Sequence, residues 1–106
     1  MRSGLGWRSL DPREATADVH SLPLESLRTV IENARCAEAR RVALIRLGDE
    51  GLMEQAALSD PAPLVRRRMV RELHHIDILQ KIADEDPDDS VRAEAGKRLG
   101  QLQQSP

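Results

Sequence analysis

A pattern of 26 residues recurs three times along the chain, and it restricts the fold more than any other feature of the sequence. The copies are Ser26–Leu47, Leu52–Leu73 and Ile78–Leu99. Setting them beneath one another aligns Leu27/Met53/Leu79, Val30/Ala56/Ile82 and Ile31/Ala57/Ala83. Further along, Ala39/Val65/Val91, Ala43/Met69/Ala95 and Leu47/Leu73/Leu99 share columns, and Arg40, Arg66 and Arg92 form an invariant one. With 40% hydrophobic residues, chance supplies only one or two all-apolar columns, roughly, and does not space them helically. The first three apolar columns sit at i, i+3 and i+4, and the last three at i, i+4 and i+8. Each copy therefore reads as a short helix A followed by a longer helix B. The expected spans are 24–33, 37–47, 52–58, 62–74, 78–84 and 87–102.

The core such helices bury must be aliphatic, because the chain holds one Trp, no Phe and no Tyr. Leu, Met and Ala suit closely spaced helices, whereas strands favour β-branched and aromatic residues. Punctuation between the helices agrees with the periodicity. Asp60-Pro61 and Asp86-Pro87 read as an N-cap acid followed by proline at the first helical position. Asp89 adds an acid to the first turn of the last helix B, where the helix dipole favours it. Gly48 is placed for a left-handed C-cap, and Asp49 and Asp77 can cap the next helices A. A helix pair this short cannot bury its apolar stripe alone, so neighbouring pairs must stack. The expected architecture is an all-α solenoid over residues 24–102.

Residues 1–23 form a separate segment. Asp11-Pro12-Arg13-Glu14 reads as a capping box opening a short helix through His20, and Pro23 closes it. This segment reads as an N-terminal cap with Trp7 covering the open end of the first pair. The competing reading is a partner-binding arm, with Trp7 as its anchor. Residues 103–106 read as a flexible tail.

The string Ile82-Ala83-Asp84-Glu85-Asp86-Pro87-Asp88-Asp89-Ser90-Val91-Arg92-Ala93-Glu94-Ala95 resembles the short HEAT-like repeat. That form occurs in phycobilin lyase subunits and many bacterial proteins, and its hallmark is Asp-Pro, a few residues, Val-Arg, then Ala-x-x-x-Leu. Leu58-Ser59-Asp60-Pro61 with Val65-Arg66 and Leu73 carries it nearly as well, whereas the first copy has Ala34-Arg35 for Asp-Pro and Ala39 for Val. The likeness covers residues 26–102. It implies a small right-handed α-solenoid of about three two-helix repeats with an N-terminal capping segment, and a scaffold rather than an activity. A weaker similarity links the chain to leucine-rich variant repeats. Their iron–sulfur segment has no counterpart here, since Cys36 is the only cysteine.

Function classes narrow accordingly. A formal net charge of −2 exerts no global pull on nucleic acid or anionic membrane. One cysteine excludes an internal disulfide and an all-Cys metal site within one chain. No apolar run has the length of a signal peptide core or membrane span, so a cytoplasmic protein is expected. Repeat scaffolds commonly use a recurring arginine to reach an acid or carbonyl of the next repeat. Arg40, Arg66 and Arg92, with Asp60 and Asp86, are therefore expected to form a structural ladder. If helices B line a concave face, Arg41, Arg67, Arg71 and Lys97 fall in one outward column, suited to carboxylate or phosphate. The five acids among Asp84, Glu85, Asp86, Asp88 and Asp89 lack the glycine and spacing of a calcium loop. They read as helix-start acids, or as an edge meeting the basic face of a second copy. His74 and His75 point about 100° apart on a helix and cannot share a metal. Cys36 has no nucleophile motif around it, and no phosphate loop, zinc spacing or nucleophile elbow appears. The expectation is a protein-binding scaffold or adaptor without catalysis, cofactor or metal. The alternatives are a nucleic-acid-binding accessory using the arginine column and a lyase-like subunit of an enzyme complex.

Overall fold

A computed structural model describes residues 4–104, whose regular elements are all helices, with no strand among them. A turn of 3-10 helix at Gly6–Arg8 leads into α1 (Pro12–Ser21), α2 (Leu24–Asn33) and α3 (Ala37–Leu47). Then follow α4 (Glu50–Ser59), α5 (Pro63–Val70), α6 (Ile76–Glu85) and α7 (Asp89–Gln103). The helices form two units, which divide between Asp49 and Glu50.

In the first unit, local chemistry sets each helix end. Asp11 caps α1 by accepting from the Arg13 N–H at 3.0 Å, with Pro12 at the first position. Pro23 holds the link extended, and α2 starts immediately after it. Gly48 ends α3 at φ +67°, a left-handed conformation that only glycine adopts cheaply, and its N–H donates to the Leu44 carbonyl. The core gathers Ala15 and Val19 of α1, Leu27 and Val30 of α2, and Ala39, Val42 and Ala43 of α3. Trp7, Leu22, Ile31 and Leu47 pack against it. Ala15, Ala39 and Ala43 are fully buried, and such short side chains let α1 approach α3 closely. Arg46 of α3 then reaches the end of α1, donating from Nη1 to the carbonyls of Val19 (2.8 Å) and Leu22 (2.7 Å). The Val19 carbonyl also accepts the Leu22 N–H at 3.3 Å, and the arginine adds a charged donor at this helix end, tying α3 to α1.

In the second unit α4 packs on α5, α6 on α7, and α5 on α7. Met53, Ala57, Val65, Met69, Leu73, Leu79, Ile82, Val91, Ala95 and Leu99 are buried, and Ala56 and Ala83, the other members of the repeat columns, are half-buried. Arg98 repeats the device of Arg46 two repeat lengths downstream, with Nε donating to the Leu73 carbonyl at 2.8 Å.

Several expected helix ends move. The Asp-Pro acids are not the N-caps: α5 starts at Pro63 with Ala62 as its cap residue, and Asp88 caps α7. Ala62 precedes a proline, which disfavours helical torsions, and it sits at φ −96° and ψ 122°. Helix formation at Pro61 is thereby blocked. The Asp60 carboxylate instead accepts from the Ala62 N–H at 2.9 Å, and Asp86 from the Asp88 N–H at 2.9 Å, each closing a turn. Asp88 accepts from the N–H groups of Ser90 and Val91. Chiefly the Ser90 hydroxyl, with those N–H groups and the Arg66 charge assisting against some desolvation, holds its carboxyl below the usual range.

Asp77 likewise lies inside α6, whose cap residue is His75. α5 stops at Val70 rather than near His74, because Glu72 and Leu73 donate to carbonyls three residues back and tighten the chain into turns. His74 consequently belongs to the α5–α6 link and His75 to the start of α6, rather than to the end of a helix B. α7 reaches Gln103, and the last two residues of the expected tail, 105–106, lie outside the described residues, as do residues 1–3.

Candidate functional site

The recurring arginines occupy equivalent places. Nη1 of Arg40, Arg66 and Arg92 donates to the carbonyls of Ala34 (2.8 Å), Asp60 (2.8 Å) and Asp86 (2.6 Å). Each carbonyl ends a helix A and lies six residues before its arginine, so the column fastens the turn within each pair. Arg66 also joins the second copy to the third. Its Nε donates to Asp86 Oδ2 at 2.9 Å and its Nη2 to Oδ1 at 3.2 Å, with side chains 9% and 4% exposed. These groups are committed to structure.

The residues of the arginine column expected on an outer face fall in both units. Arg41 belongs to the first unit, where it pairs with Glu38 at 3.4 Å. In the second unit Arg71 meets Glu94 of α7 at 3.3 Å. Arg67 and Lys97 have no ion pair among the described residues. His74 and His75 each face a different glutamate, Glu50 at 3.6 Å and Glu54 at 3.4 Å. No cluster of three or more metal-ligating side chains occurs among the described residues, and Cys36 is buried.

Trp7 sits at a different kind of site. The 3-10 turn and the residues after it form one wall of an open groove, with Leu5, Trp7, Arg8, Ser9, Leu10 and Asp11. Thr29 and Asn33 of α2, with Arg35 beyond its end, form the other wall, and the volume is about 800 Å³. Leu5 is 52% and Leu10 68% exposed. Trp7 is half-buried, with part of its ring on the first unit's core. Its backbone N–H donates to Asp18 Oδ2 at 2.8 Å, and the Arg8 guanidinium lies 4.1 Å from the ring centroid. This segment does two things: it covers core and it presents an apolar floor.

Gly6 makes that placement feasible. It sits at φ +56°, and a Cβ there would stand 2.5 Å from Asp18 Oδ2, the atom holding Trp7. Gly6→Ala should cost about 1–2 kcal/mol for the left-handed torsion alone, and it should displace Trp7. The emission maximum and the unfolding midpoint report both effects, and an unchanged spectrum at an unchanged midpoint would refute this account. The helical signal of α1–α3 should persist.

The sequence singled out Trp7, as its one tryptophan, but not Leu5, Arg8, Leu10 or Arg35, since the segment before α1 has no helical period. One signal was present. Arg35 stands where the other copies carry Pro61 and Pro87, so the first copy departs from the pattern at the groove itself. A smaller cavity of about 180 Å³ lies in the second unit, lined by Leu58, Lys81, Ile82, Glu85, Asp86 and Pro87.

Comparison of the chain with protein-family models, curated proteins and solved structures finds no match. Among the described residues, no helix is long and apolar enough to cross a membrane.

Proposed function

We propose that this chain is a protein-interaction module, a small solenoid of HEAT-like helix pairs that performs no chemistry and docks a segment of another protein. The groove beside Trp7 carries this reading. Two well-exposed leucines and the only aromatic side chain share one concave surface. Apolar side chains gathered in one groove give a partner's apolar side chains a place to leave water. Tryptophan at the centre of such a patch is the side chain that most often dominates an interface.

The recurring arginines support the scaffold half of the reading. They spend their donors on helix ends and, at Arg66, on a buried acid, which stiffens helix pairs and pre-organises whatever surface they carry. Nucleic-acid binding by the outer arginines is the weaker reading, because Arg41 and Arg71 already face carboxylates.

The test is retention on immobilised protein. A partner captured from source lysate should remain after nuclease treatment and should be lost with Leu5→Asp/Leu10→Asp. Both leucines are exposed, so helicity should be unchanged. Capture should survive Arg67→Glu/Arg71→Glu. Capture that ends with nuclease, or that needs Arg67 and Arg71 but not the leucines, would overturn the proposal.

A further inference from the structure

We infer that the groove beside Trp7 selects a peptide segment combining apolar side chains with carboxylates, and that Arg8 and Arg35 read the carboxylates. This rests on the interaction-module reading and adds the chemistry of the partner. Neither Arg8 nor Arg35 has an acidic partner among the described residues, unlike Arg41, Arg66, Arg68, Arg71 and Arg92. Among the described residues Asp11 is the only acid in the lining, and its carboxylate is engaged by the Arg13 N–H at the start of α1. Two cations against one occupied anion give the groove a positive balance, although the whole chain carries −2.

The apolar floor sharpens that balance. Leu5, Trp7 and Leu10 exclude water from whatever lies above them, and a guanidinium–carboxylate pair strengthens as the local dielectric falls. Arg8 rests near the Trp7 ring, a position that limits its rotamer freedom before any ligand arrives. A planar guanidinium held this way offers paired donors to a carboxylate, which a flexible ammonium does not. Arg35 completes the wall at the position where proline in the other copies would provide no charge. An apolar peptide alone would leave both arginines unpaired beside a desolvated contact, and a purely acidic one would leave the leucines uncovered.

Trp7 supplies the assay, because as the only aromatic residue its emission reports this groove without background. The probes are three short peptides of equal length, alternating Leu with Glu, Leu with Lys, and Ser with Glu. The Leu/Glu peptide should shift the emission saturably, and the other two should bind at least about tenfold more weakly. Arg35→Gln should weaken Leu/Glu binding about tenfold and bring it level with Leu/Lys, with the circular dichroism unchanged.

Equal binding of Leu/Glu and Leu/Lys, or indifference to Arg35→Gln, would overturn the acidic specificity while leaving the apolar docking site standing. No binding by any peptide would also overturn the inference, and the lysate capture lost with Leu5→Asp/Leu10→Asp would then decide separately whether the module reading survives. A concentration-dependent dimer in sedimentation velocity, dispersed by Leu5→Asp/Leu10→Asp, would make a second copy the occupant and overturn it as well.

Discussion

Leu73→Asp is expected to abolish cooperative folding of the second unit. Leu73 is fully buried and follows α5 in a tightened turn. Its carbonyl accepts from Arg98, so the position is fixed by backbone as well as by packing. Removing a fully buried leucine forfeits about 1.5–3 kcal/mol of transfer free energy. A carboxylate left there without a partner adds several kcal/mol more, or is neutralised at similar cost. At ~0.05–0.15 kcal/mol per residue, a unit of this size has only about 3–9 kcal/mol in total. The loss therefore matches or exceeds the whole stability. Circular dichroism should show the helical signal of α4–α7 gone at room temperature, without a sharp thermal transition. Full helicity with a wild-type melt would mean that the aliphatic column is not the core. Leu58→Asp is the control, since Leu58 is 42% exposed, and it should shift the midpoint little.

What the sequence disclosed follows the range over which each signal acts. Helices α2 and α3 begin and end where the pattern places them, because Pro23 and Gly48 act on the backbone next to them. The inward columns were legible for a related reason: a period of 3.6 survives any detail of the turns. Turn chemistry was not legible at the same precision. Two prolines, Pro61 and Pro63, each suit a first helical position, and the choice falls to the torsional restriction that Pro63 places on Ala62. Asp60 and Asp86 thus look like caps in the sequence and act as turn acceptors, with Asp86 also holding Arg66. The capping arginines Arg46 and Arg98 escaped notice because Glu72 interrupts their column. The groove was least legible of all. Its leucines lie in a segment without period, and only Trp7 and the loss of proline at Arg35 marked the place.

Arg66→Ala should cost about 3–5 kcal/mol, the largest loss expected from any single arginine here. The reason is what the substitution leaves behind. Asp86, 4% exposed in its side chain, would lose both guanidinium donors. The Asp60 carbonyl would lose its donor as well, while the Asp88 N–H would still bind Asp86. Removing both partners should hurt less than the two single changes together, because neither charge is then stranded in low dielectric. Arg66→Met with Asp86→Leu should therefore show a coupling of about 1–3 kcal/mol in denaturant unfolding. Strict additivity would mean the two groups do not stabilise one another, and the link between the second and third copies would have to lie elsewhere. Arg71→Ala provides the contrast. Its pair with Glu94 has the same charges at 3.3 Å, but the arginine is 53% and the glutamate 14% exposed, against 9% and 4% for Arg66 and Asp86, so water and salt screen the pair more. That change should cost at most about 1 kcal/mol. The difference between the two arginines comes from burial, since both reach a carboxylate at hydrogen-bonding distance.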